Sequence, residues 1–204
     1  DWGENIQISG DLNCVSTDQQ SKLPQELKDY LAAGKPPVYM TFGSLSPYEL
    51  ENTVSLMLDA VEKSGCRAII QTDWDLVGTK PNSADVFACG TLPHAEIFPH
   101  CAAVVHHGGA GTTHSALRAG TPSIVIEHAF DQIFWGKELQ RVGVAGELLH
   151  RKNVTAGQLA EAIKTTITSV AMKHAATEMR EKMLLEDGVK SAIKLIEGFA
   201  GKKR

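Results

Sequence analysis

The chain has 204 residues, 43% of them hydrophobic and 22% charged, with a formal net charge of -4 at pH 7. That length suits one sizeable domain with an apolar core, and the acidic balance excludes a general nucleic-acid binder, which would present a basic face. No stretch approaches the roughly 20 consecutive apolar residues of a membrane span.

The first segment, to about residue 35, has weak periodicity and contains one short helix in "SKLPQELKDYLAAGKPP", closed by Gly34 and two prolines. "VYMTFGS" (38–44) is an apolar strand that ends at Gly43 and Ser44, and Ser46 and Pro47 open a helix. In that helix Leu50, Val54, Met57, Leu58 and Val61 make one buried stripe, and Gly65 stops it. "CRAIIQT" (66–72) and "DVFACG" (85–90) read as strands, "HAEIFPH" as a short helical piece, and "AAVVH" (102–106) as a strand running into a glycine-rich loop. A helix over 112–119, the strand "SIVIE" (123–127), a helix over 131–143 and a short strand in "AGELLH" follow. From Thr155, a candidate cap, the pattern is helical throughout. Leu159, Ala162, Ile163, Thr166, Ile167 and Val170 share a face of the first helix; two more helices end near Leu185 and Phe199.

Short continuous apolar runs alternating with helices indicate a parallel sheet covered on both faces, hence one doubly wound, Rossmann-like α/β domain. Residues 1–35 are expected to form a linker and entry helix, 36–150 the βα core, and 151–204 the C-terminal helices. The four cysteines (Cys14, Cys66, Cys89, Cys101) form no CxxC pair and read as buried free thiols, which predicts a reducing, cytoplasmic setting. The opening "DWGENIQISG" has neither the basic start nor the apolar middle of a secretory signal. It lacks a Met, and the expectation is an excised domain of a longer chain.

In a doubly wound sheet, ligands bind outside the carboxyl ends of the strands. The exits are 43–46, 71–75, 90–94, 106–113 and 127–132, and the richest is "HHGGAGTT" (106–113). Gly108, Gly109 and Gly111 permit a tight turn and a close approach of main-chain N–H groups to a ligand. Thr112 and Thr113 fall in the first turn of the predicted helix, where open amides and the macrodipole favour an anion. A second helix start after Gly43 and Ser44 would face the same crevice, so a diphosphate could be held without Lys or Arg. Against this stands plain tight packing of strand on helix. The loop is not a Walker loop, for no GK[ST] follows, and it lacks the dinucleotide G-x-G-x-x-G spacing.

The stretch "LPHAEIFPHCAAVVHHGGAGTTHSALRAGTPSIVIEHAFDQIFWGKELQRVGVAG", with "TFGS" ahead of it, resembles the C-terminal half of family 1 glycosyltransferases of GT-B fold. Within that family it is most similar to the sterol and macrolide glucosyltransferases. The resemblance covers roughly residues 36–200. It implies a domain that binds a UDP-sugar, with UDP-glucose expected, and needs no metal or other cofactor. His107 resembles the histidine that hydrogen-bonds the diphosphate; Gly109, Ala110, Gly111, Thr112 and Thr113 match the stretch that donates to the phosphates, and Ser44 a second phosphate contact. Asp131 and Gln132 match the pair that binds the hexose hydroxyls, since a carboxylate accepts twice while an amide donates and accepts. Leu92 matches the position whose main chain reads the uracil edge. The chain departs from the pattern twice. Thr91 stands where many members have a uracil-stacking Trp, which passes that role to Trp74 or an aliphatic group. Phe130 stands where the usual residue is Gly, which puts the hexose pocket in question. Plainer readings make Asp131 a helix cap and Trp74 a core residue. A metal site from His94, His100, His106 and His107 is set aside because the spacings suit no standard geometry.

Inverting glycosyl transfer needs an activated acceptor hydroxyl, an electrophilic anomeric carbon and stabilisation of the departing diphosphate. The resemblance places the general base in an N-terminal domain that also binds the acceptor. Glu127, His128 and His114 are the local alternatives and read better as lining or packing. The implied partners are the UDP-sugar, that N-terminal domain and a lipophilic acceptor such as a sterol, with peripheral membrane association of the parent. The alternatives are a non-catalytic nucleotide-sugar-binding module and a domain like that of UDP-N-acetyl-sugar epimerases.

Overall fold

Four- and five-residue runs rich in Val, Ile and Ala supply most of the sheet, because strands covered on both faces need apolar side chains at successive positions. The computed structural model describes residues 3, 6–12, 23–43, 47–81 and 83–201. Among them six strands, β1 (Val38–Thr41), β2 (Ala68–Gln71), β3 (Val86–Cys89), β4 (Ala103–His106), β5 (Ser123–Glu127) and β6 (Leu149–His150), form one sheet. Their order is β3-β2-β1-β4-β5-β6 and every pairing is parallel. The order reverses between β1 and β4, where Thr41 lies in register with His106. A crevice at the carboxyl ends of these two strands is the expected ligand position in such a sheet.

Alternate strand residues face opposite layers. Val38, Met40, Ala68, Ile70, Val105, Ile124 and Ile126 pack under α2 (Pro47–Ser64) and α7 (Ala156–Thr168), together with α3 (Trp74–Val77). Tyr39, Ile69 and Val104 face α1 (Gln25–Ala32), α4 (His94–Ile97) and α5 (Ala110–Ala119). Val125 meets α6 (Gln132–Arg141) and α8 (Val170–Leu184). The expected α2 stripe is buried at Leu50, Val54, Met57 and Val61, with Leu58 at its edge. Thr155 caps α7 in a capping box with Gln158.

Three expectations change. α5 begins at Ala110, with Gly109 as its cap, two residues before the predicted start. The shared face expected along 159–170 stops short: Ile167 is exposed and Val170 is 83% exposed. The reason is local. Ser169 takes an extended conformation and its hydroxyl accepts from Met172 N–H, which closes α7 and starts α8 on a new axis. The third is Trp74, which belongs to the core under α2 and α7 rather than to an exposed ligand face. The last helix, α9 (Gly188–Gly201), leaves Ile193, Ile196 and Phe199 exposed. Its start is docked: a Cβ on Gly188 would lie 2.3 Å from the Asp11 carbonyl oxygen. Cys66, Cys89 and Cys101 are free and half-buried, and burial pushes the Cys89 and Cys101 thiols up to about 12. Cys14 and Ser44 lie outside the described residues.

Candidate functional site

The crevice is built from the exits of β1, β4 and β5. β4 ends at His106, and His107 follows it into the loop. His106 is fully buried, and its Nδ1 accepts from Gly108 N–H at 3.1 Å. Burial, with lesser contributions from His107 and His94, lowers its pKa to about 3, so it is neutral and folds the loop back on itself. His107 is half-buried and turned into the crevice. Its ring fits between two glycines: a Cβ on Gly109 would lie 2.4 Å from Nε2, and one on Gly43 would lie 3.4 Å from Cε1. Its Nδ1 is buried and has no hydrogen-bond partner among the described residues. Burial lowers its pKa and Asp131 opposes the shift, so at neutral pH it acts as a neutral hydrogen-bonding group rather than as a cation.

Gly108 has φ +85°, and a Cβ there would press on Val125 and on the Gln132 carbonyl at 2.9 and 3.0 Å, so both conformation and space require glycine. α5 then starts from Gly109. Its first intrahelical bond runs from Thr113 N–H to the Gly109 carbonyl, which leaves the amides of Ala110, Gly111 and Thr112 ahead of that bond. Gly111 is exposed and Thr112 half-buried. Thr113 is corrected in part: it is buried and its amide is bonded to the Gly109 carbonyl, so that amide is not open to a ligand, while its Oγ1 has no hydrogen-bond partner among the described residues.

On the β5 side, the loop 128–131 is held by Gln132, whose Oε1 accepts from His128 N–H at 2.7 Å and Ala129 N–H at 3.1 Å. Because both partners are donors, the amide orientation follows, and the Gln132 NH2 remains for a ligand. Asp131 is the first residue before α6 but not its cap. Its backbone is already helical (φ -72°, ψ -9°), no side-chain cap bond forms, and Oδ2 accepts from Trp135 Nε1 at 3.1 Å. Phe130, just before it, has φ +59° and is 93% exposed; it is the one non-glycine residue with positive φ among those described.

On the opposite side, a groove of about 660 Å³ opens between the exits of β1, β2 and β3, bordered by Gly43, Gln71, Thr72, Asp73, Thr91 and His94. Trp74 underlies it with its indole fixed, Nε1 donating to the carbonyls of Cys89 (3.1 Å) and Ile70 (3.3 Å). At 5% exposure Trp74 offers little of its ring to a ligand. Leu92, next to the groove residue Thr91, is half-buried against the Tyr39 layer. His94 is stacked on Phe98 with centroids 4.3 Å apart, and burial lowers its pKa.

Each local candidate for a base has a neighbour in the fold. Glu127 Oε1 meets His150 Nδ1 at 2.6 Å, His114 Nδ1 meets Asp11 Oδ1 at 3.1 Å, and the His128 ring lies 5.1 Å from Phe42. Among the described residues no group of three His, Cys, Asp or Glu side chains is placed to hold a metal ion. Two contacts escaped sequence reasoning, Gln132 as the pillar of the loop and Trp135 as the partner of Asp131. The i, i+4 spacing of Asp131 and Trp135 was a visible signal for the second.

Residues 56–195 match the family described as Erythromycin biosynthesis protein CIII-like, C-terminal domain. The chain belongs to this family. It is 33% identical over 195 residues to a sterol 3-beta-glucosyltransferase of Arabidopsis thaliana, covering 95% of this chain and 30% of that protein. It is 34% identical over 192 residues to the vancomycin aglycone glucosyltransferase of Amycolatopsis orientalis, covering 91% and 46%. The chain thus spans less than half the length of these relatives. Among solved structures, the glycosyltransferase VinC in complex with dTDP superposes with TM-score 0.69 at 24% identity, covering 86% of this chain and 44% of that one. The glycotransferase of kitacinnamycin superposes with TM-score 0.72 at 19% identity, covering 91% and 47%. The fold of this family member is the C-terminal, Rossmann-like half of the GT-B architecture.

Proposed function

We propose that this domain binds a UDP-hexose, UDP-glucose in the first instance, as the donor half of an inverting glycosyltransferase whose acceptor is a lipophilic alcohol such as a sterol. The observation that carries the reading is the His107 imidazole held between Gly43 and Gly109, beside the open amides of α5. A buried, unpartnered ring nitrogen and a helix N-terminus together suit an uncharged grip on a diphosphate. From that centre the groove over β1–β3, bordered by Gly90 and Thr91, offers room for the nucleoside, and Leu92 remains a proposed uracil contact by family position. On the other side Asp131 and Gln132 offer a carboxylate oxygen and an NH2 for hexose hydroxyls. Ser44 remains a proposed phosphate contact by family position. The names of the sterol and vancomycin relatives support the glucosyl donor and the bulky acceptor.

In the reaction so read, the acceptor oxygen attacks the anomeric carbon and the bond to the diphosphate breaks. His107 and the amides of Ala110, Gly111 and Thr112 meet the charge that grows on the leaving group, which is where fixed dipoles lower a barrier most. In this reading the acceptor's proton goes to a base on the facing N-terminal half, as the family resemblance implies. No metal enters this scheme.

Calorimetric titration of the chain with UDP, UDP-glucose and ADP tests it. UDP and UDP-glucose should bind and ADP should bind markedly less well. His107→Ala should weaken UDP and UDP-glucose alike, while Asp131→Ala should weaken UDP-glucose alone. No heat with UDP up to millimolar concentrations would sink the reading.

A further inference from the structure

An aspartate at the start of a helix ordinarily turns its carboxylate onto the amides of the first turn. Asp131 does not. Its helical backbone angles carry the side chain away from those amides, and it reaches forward one turn to the indole N–H of Trp135 at 3.1 Å. The indole is itself fixed. The His114 ring of α5 meets it edge-on, with centroids 5.0 Å apart and planes at 86°, and the Phe134 ring is also edge-on to it at 5.3 Å. His114 is anchored in turn, its Nδ1 3.1 Å from Asp11 Oδ1, while Asp11 Oδ2 receives the Arg118 guanidinium at 2.5 Å. One continuous set of contacts therefore runs from the segment around Asp11, through α5, to the carboxylate beside the crevice.

We propose that Trp135 is a positioning residue. It holds one oxygen of Asp131 so that the other faces the hexose, and its contact with His114 ties that orientation to α5, the helix at the phosphate position. The proposal rests on reading Asp131 as a hexose contact. The physical reason is preorganisation. An exposed carboxylate on a flexible stem samples several rotamers, and fixing one oxygen to an indole N–H removes that freedom before the sugar arrives. A helix cap sacrificed for this bond is a cost to the fold of the kind that accumulates at binding sites.

The test is Trp135→Phe, which deletes the N–H and keeps an aromatic ring against His114. Calorimetry on the chain should show UDP-glucose binding weakened about fivefold to tenfold, the scale of one ordinary hydrogen bond, because the indole acts on the sugar only through the carboxylate. UDP binding should stay within about twofold of the original. Trp135→Phe added to Asp131→Ala should cost nothing further, because the indole then has no carboxylate to hold. A second reading needs no variant: with three tryptophans in the chain, the Trp135 indole N–H signal in a nitrogen–proton correlation spectrum should move with UDP-glucose and stay in place with UDP. Equal losses for both ligands, strictly additive losses in the double variant, or an indole signal indifferent to the sugar would each overturn the proposal. If Asp131→Ala is selective for UDP-glucose while Trp135→Phe is silent, this proposal alone fails. If Asp131→Ala changes neither ligand, the hexose reading fails and takes this one with it.

Discussion

The main-chain N–H of Gly108 donates to Nδ1 of His106 across 3.1 Å, inside the fold, and so fixes both the glycine turn and the tautomer of a fully buried imidazole. The proton of that ring sits on Nε2, which has no partner among the described residues. Protonating His106 would bury a charge, which is the main cause of its low pKa, with His107 and His94 adding to it.

Stability should therefore fall with acid. The unfolded imidazole takes up a proton below its ordinary value of 6.5, while the folded one resists until about 3. Over that window the unfolded state binds more protons, so each unit of pH lost removes about 1.4 kcal/mol. The lowered values of His107 and His94 act in the same direction. Urea unfolding followed from neutral to mildly acid pH should show this slope, and His106→Asn, which keeps an acceptor for Gly108, should flatten it.

Gly109→Ala and Gly111→Ala should separate cleanly. The first places a Cβ 2.4 Å from His107 Nε2 and must displace the ring, whereas the second meets nothing within 4 Å. Gly109→Ala should weaken UDP binding by about tenfold or more, as expected when a hydrogen-bonding ring is moved off its position. Gly111→Ala should keep the melting temperature or raise it, by up to about 1 kcal/mol of helix propensity. Thermal melts and UDP titrations on the two variants check both statements.

Gln132 should prove a structural residue as well as a sugar contact. Gln132→Ala removes the acceptor for two main-chain N–H groups of the β5 exit and should cost about 1–3 kcal/mol of stability. Gln132→Glu keeps an acceptor there, so stability should hold, while UDP-glucose binding weakens because the NH2 donor is gone. Chemical denaturation read beside calorimetry distinguishes the two roles.

Phe130→Gly should stabilise the fold. The ring is 93% exposed and contributes little burial, while the backbone sits at φ +59°, a region that glycine enters freely. The relief should amount to about 1 kcal/mol after allowing for the greater flexibility of unfolded glycine. A lower melting temperature for the variant would mean that the ring has packing partners in solution.

The sequence by itself determined the architecture. Continuous apolar strands at 38–41, 68–71, 103–106 and 123–127, each followed by a helical period, admit a parallel sheet covered on both faces and little else. It also pointed to the loop "HHGGAGTT" and the pair Asp131–Gln132, because glycines at a strand exit and a carboxylate beside an amide carry their chemistry in their type and spacing. What it left open was decided by contacts between residues distant along the chain. Trp74 reads equally as stacking surface or core, and only the carbonyls of Ile70 and Cys89, on two neighbouring strands, make it core. The Thr113 amide reads as a phosphate contact until α5 starts at Ala110 and bonds that amide to the Gly109 carbonyl. Asp131 reads as a cap until its backbone angles turn it to Trp135, an indole that takes its place from His114 on a different helix. Periodicity and composition record which faces are buried. Whether a polar group faces a ligand or a neighbour depends on strand order, helix start and rotamer, and those are settled when the layers pack.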